Sequence, residues 1–113
     1  MKTLTTLRIY FEYGQKMRNS SFWKRHFGAD FSEELMKRAK NFRLQQVLHL
    51  NVNKGYLNDQ SVHWGKHEIK HHKHPHLIEI MDSEEKINQF LEEEQAFLQD
   101  AKIVMVKNTV LLK

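Results

Sequence analysis

Six of the eight histidines in this chain fall within fourteen positions: His63, His67, His71, His72, His74 and His76. Neutral imidazole is the commonest transition-metal ligand, and its charge changes near neutral pH. On a helix, His63, His67 and His71 would share one face at i, i+4, i+8. On a strand, His72, His74 and His76 would share one face at period two. Either arrangement could present ligands to zinc, copper or nickel. The spacing matches no closed zinc site, and no Cys or Asp within the run completes one. The simplest reading is a solvated, mildly basic hairpin arm, with metal ligation and a pH-responsive surface as alternatives.

Elsewhere, groups suited to chemistry are sparse. Asn53-Lys54-Gly55-Tyr56 could cradle an anion, with Lys54 for charge and Gly55 for close backbone approach. A lone Lys-Gly is no Walker motif, and a plain turn explains it as well. Phe22-Trp23-Lys24-Arg25-His26-Phe27 interleaves aromatics with cations, as in nucleic-acid stacking or membrane-surface segments. An amphipathic connector packed on a sheet edge is the simpler account. Ser20, Ser21, Ser32, Ser61 and Ser83 lie in no nucleophile-elbow context. Glu92-Glu93-Glu94 reads as a solvated helix face, with Glu94 close enough to the apolar stripe to face a subunit boundary. No motif positions a carboxylate pair, so no enzymatic activity is expected.

The elements that must position these residues follow from composition and periodicity. A length of 113 residues holds one domain, 1–113, with a modest core. Hydrophobic residues at 40% and charged residues at 28% are ordinary for a soluble globular protein. The formal charge of +4 is spread along the chain, apart from clusters around Lys16–His26 and Lys66–His76. Without an accompanying binding motif it does not make nucleic acid the expected partner. The absence of cysteine excludes disulfides, thiolate metal sites and cysteine nucleophiles. No apolar run approaches the roughly 20 residues that cross a bilayer, and Met1-Lys2-Thr3-Leu4 has no signal-peptide character. A cytoplasmic location is the expectation.

Leu4–Glu12 alternates apolar and polar residues as a half-buried strand does. Gly14 ends it, and a basic connector over 14–28 follows, with no assigned role. Asp30, as N-cap, and Glu33 open a helix striped by Phe31, Leu35, Ala39 and Phe42 and ending near Arg43. Gln46–Val52 alternates again, with Leu48, Leu50 and Val52 on one side. Asn53–Asp59 is a turn-rich loop, and Val62–His74 could be strand or helix. After Pro75, Leu77–Met81 forms a short buried strand. Asp82-Ser83-Glu84-Glu85 caps a second helix, striped by Ile87, Phe90, Leu91, Phe97 and Leu98. Ile103–Lys107 is the last strand, leading through Asn108 to an apolar tail, Val110-Leu111-Leu112. This order predicts an α+β, ferredoxin-like βαββαβ plait, with a four-stranded antiparallel sheet and two helices on one face. The uncovered face argues for self-association, and the tail is a candidate for pairing with a neighbouring subunit's sheet edge.

Leu7-Arg8-Ile9-Tyr10, together with the run from Pro75 through Ile80-Met81-Asp82-Ser83-Glu84-Glu85-Lys86-Ile87, resembles the PII-like domain-of-unknown-function 190 family. The resemblance spans nearly the whole chain and is strongest from Pro75 to Leu91. Gly55-Tyr56-Leu57 stands where the family carries a Gly-Phe-Gly loop, and His63 where it carries a following histidine. On that alignment the segment after His63 is the returning arm of a β-hairpin. Two departures stand out: Arg43–Val47 replaces a glycine-rich approach to the second strand, and Leu57 replaces the last loop glycine. Both leave fewer places for backbone N–H groups to approach a phosphate. The resemblance implies a homotrimeric, cytoplasmic sensor binding a small ligand, such as an adenine nucleotide, between subunits. Arg8, Lys54, Gly55, Tyr56 and His63 would be its site residues. The flexible 53–74 loop would meet a partner such as a membrane transporter or channel.

Overall fold

Alternation in the first segment produces strand β1, Lys2–Glu12, in the computed structural model of the protein, which describes residues 2–12, 31–64 and 74–113. Leu7, Ile9 and Phe11 are buried on one side, while Arg8 stands exposed on the other. Helix α1, Phe31–Asn41, buries Phe31, Leu35 and Ala39, the spacing of one helical stripe. Arg43, at φ 63°, turns the chain out of it, and Leu44 N donates to Ala39 O at 3.1 Å. Strands β2 (Gln46–Asn51) and β3 (Pro75–Asp82), helix α2 (Glu84–Glu93) and strand β4 (Lys102–Leu111) complete the order. The sheet runs β2-β3-β1-β4, every neighbouring pair antiparallel. Both helices pack on the face bearing Leu7, Ile9, Phe11, Ile78 and Ile80. This is the expected plait. Asp30, the 14–28 connector, His67, His71 and His72 lie outside the described residues.

The structure alters several local expectations. Leu48 and Leu50 share one side of β2 as expected, and that side is the open face of the sheet, where they are 48% and 40% exposed, while His49 takes the helix-side position between them. The cap of α2 is Ser83, whose side chain accepts from Lys86 N. Asp82 instead ends β3, and its carboxylate accepts from Ser83 N and Gln45 N, both at 2.7 Å. It thereby ties the turn after α1 to the start of α2. Glu94 has a partner within the chain, receiving Arg38 Nη1 at 2.6 Å from α1. The apolar tail is no separate segment. β4 runs on through a bulge at Asn108, φ 61°, and pairs Val110 and Leu111 with Thr3 and Lys2 of the same chain. One extra residue on β4 resets the register, which is what a bulge does.

Candidate functional site

Of the residues singled out in the loop, the structure joins Gly55 and His63. Gly55 N donates to His63 O and His63 N to Gly55 O, both at 2.8 Å, forming an isolated antiparallel bridge. The loop thus closes on itself as a hairpin base would, as far as Trp64. Gly55 has φ 156°, where L side chains are disfavoured, yet an added Cβ would meet only Val52 Cγ1 at 3.6 Å and Pro75 Cγ at 4.0 Å. Conformation rather than crowding selects glycine here. Lys54 Nζ lies 5.8 Å from the Trp64 ring centroid, and Tyr56 is 52% exposed. The base of the loop therefore presents a cation and two aromatic rings to solvent.

Arg8 stands apart. It occupies the middle of β1 on the open face and pairs with Glu79 at 3.4 Å. The loop base meets β1 near Glu12, the register partner of Pro75, four residues or roughly 13 Å along the strand from Arg8. Within one chain, Arg8 and the loop do not form one site.

Of the histidine run, His63, His74 and His76 are described, and all three are buried. They form a chain of rings: His63 to His74 at 6.0 Å and His74 to His76 at 5.7 Å between centroids. The chain continues to His49 on β2, at 5.1 Å from His76, and the Phe11 ring packs against both. His74 Nε2 donates to the Val52 carbonyl, which fixes its tautomer, since a carbonyl only accepts. His49 Nε2 and His76 Nδ1 lie 2.9 Å apart and share a hydrogen bond. His74 Nε2 is thus engaged with backbone, and His49 Nε2 with His76 Nδ1. Among the described residues no three His, Cys, Asp or Glu side chains converge on a metal position. Sequence reasoning missed His49, because only the β2–β3 register, Asn51 opposite His76 and His49 opposite Ile78, brings it beside the run.

The sequence profile of the DUF190 family, described as Uncharacterized ACR, matches residues 4–110. No curated protein matches the sequence. Among solved structures, the chain resembles CPII, a nitrogen regulatory PII-like protein from Thiomonas intermedia K12 bound to ADP, AMP and bicarbonate. The TM-score is 0.61 at 14% identity, covering 96% of this chain and 89% of that one. A protein from Thermus thermophilus assigned to PII-like signaling gives 0.56 at 13% identity, with coverages of 96% and 87%. The divalent ion tolerance protein CutA1 from Ehrlichia chaffeensis gives 0.52 at 11% identity, with coverages of 98% and 86%. Identities this low carry the fold alone.

Proposed function

The chain belongs to the DUF190 family, and on that footing we propose that it is a non-enzymatic, PII-like regulatory protein acting as a homotrimer. It binds a small ligand in clefts between subunits and meets a protein partner through the 53–74 loop. The observation that carries this reading is the open face of the sheet. Three rows cross it in register: Gln46–Met81–Thr6–Val106, Leu48–Glu79–Arg8–Val104 and Leu50–Leu77–Tyr10–Lys102. Leu48, Leu50, Val104 and Val106 are 38% to 48% exposed there, so a second copy laid on this face would remove two apolar patches from water, one on β2 and one on β4, on either side of the Arg8–Glu79 pair. Each side chain that goes from exposed to fully buried contributes roughly 1.5–3 kcal/mol.

The ligand residues proposed are Arg8, Lys54, Gly55, Tyr56 and His63. Lys54 supplies charge, Gly55 a backbone position without a side chain, and Tyr56 a ring for stacking. The relative from Thiomonas bound to ADP and AMP supports an adenine nucleotide as the ligand. Separation of Arg8 from the loop within one chain agrees with a cleft built from two copies. No helix among the described residues is long and apolar enough to cross a membrane, and the proposed setting is the cytoplasm. A transporter or channel as partner rests on the family resemblance alone.

Sedimentation and calorimetric titration with ADP and AMP, with and without bicarbonate, test the reading. A trimer with micromolar nucleotide affinity is expected. Lys54→Ala should weaken it about tenfold, equivalent to about 1.4 kcal/mol. A monomer at micromolar concentration, or the absence of nucleotide heat, overturns it.

A further inference from the structure

On the helix side of the sheet, an open groove of about 640 Å³ runs between α1 and β2. Its volume is in the range of small-ligand sites. Ser32, Glu33, Met36, Lys37, Lys40 and Asn41 line it from the helix, and His49 from the strand. None of the residues proposed above for nucleotide binding contributes to it. We propose that this groove is a second site, for a small oxyanion, and that its occupancy is coupled to protonation of His49.

The charge balance favours an anion. Lys37 and Lys40 stand nearly one turn apart on α1 and so face the same space. Among the described residues, Glu33 is the one acidic side chain of the lining. The described lining therefore carries a net single positive charge with His49 neutral, and a double one with His49 protonated. The Met36 side chain and the lysine stems supply apolar wall between the charges.

The coupling comes from the hydrogen bond behind His49. Its Nε2 lies 2.9 Å from Nδ1 of His76, and one proton serves the pair at that contact. His76 is 3% exposed and packs on the uncharged ring of Phe11, whereas the His49 ring lines the open groove. His49 is the exposed member of the pair, and we place the added proton on it, with its Nε2–H directed at His76 Nδ1. The other titratable groups around the pair, among the described residues, are His74 before β3 and His63 of the loop, with Glu33, Lys37 and Lys40 from α1. A bound oxyanion favours the protonated ring, and by reciprocity a falling pH tightens the anion. One linked proton gives at most a tenfold gain in affinity per pH unit.

Sulfate is a suitable probe, because its charge is constant between pH 5.5 and 8. The full chain is titrated by NMR, following the His49 ring resonances in sulfate and in chloride at equal ionic strength. An upward move of the His49 midpoint in sulfate, with sulfate affinity rising as pH falls, is expected. In the variant carrying Lys37→Ala and Lys40→Ala the difference between the salts should vanish, and in His49→Gln sulfate binding should lose its pH dependence. Equal midpoints in the two salts overturn the proposal, as does a shift that survives loss of both lysines. Nucleotide titration of the same variants separates the two sites: Lys54→Ala should leave the sulfate response intact.

Discussion

Arg38 gathers partners from its own helix and from the segment that follows α2. Its Nε donates to Glu34 at 3.1 Å, its Nη1 to Glu94 at 2.6 Å, and its guanidinium lies 4.3 Å from the Phe97 ring centroid. Glu34 is 6% exposed, so removing the arginine strands a buried carboxylate. Arg38→Ala should cost about 3 kcal/mol, within the range for breaking a buried pair, read as a lower urea midpoint. Arg38→Lys should recover only part of it, since an ammonium cannot span two carboxylates and stack at once. The Glu34–Arg38 spacing is visible in the sequence as i, i+4. Glu94 is not, because its meeting with Arg38 depends on how α1 lies against the residues after α2. Asp82 teaches the same lesson. Its place before a helix suggests a cap, but its work is to accept two backbone N–H groups from two different turns. Asp82→Ala should cost about 1–3 kcal/mol by leaving those donors unsatisfied, measured by the same unfolding experiment.

At the level of elements, periodicity names the strands and helices well and their ends less well. Asn108 reads as a terminator because asparagine favours turns, yet the strand absorbs it as a bulge with φ 61° and continues to Leu111. The hydroxyls of Thr6 and Thr109, 3.0 Å apart, fasten the strands beside it. Asn108→Val should lower stability by about 1–2 kcal/mol, the cost of a branched side chain in the left-handed region, whereas Asn108→Gly should stay close to neutral. Thermal unfolding of the two variants distinguishes them. β2 shows a different limit. Its alternation places Leu48 and Leu50 together, and hydropathy alone would turn them inward. The neighbours decide otherwise: His49 opposes Ile78, whose side is already committed to the core by Ile80 and Ile9. Period two divides a strand into faces but does not say which face is covered.

For the molecule as a whole, the order of elements was enough to give the plait, since two helices on one side of four strands have few other arrangements. What remained hidden were contacts between strands distant in sequence, His49 with His76 above all, because register appears in no single segment. Val104→Glu, on the open face, tests the proposed assembly separately from the fold. Sedimentation should show dissociation while the circular dichroism spectrum is retained, because Val104 lies outside the helix-facing core. The sheet order has one more consequence. β1 and β2 are not neighbours, and each waits for β3, while β1 is completed only when Val110 reaches Thr3. During synthesis, therefore, the first half of the chain holds two strands unable to pair with each other. Their backbone stays without a sheet until Pro75–Asp82 emerges, and the last bonds close across almost the full length of the polypeptide. Such non-local closure slows folding and prolongs the exposure of apolar strands.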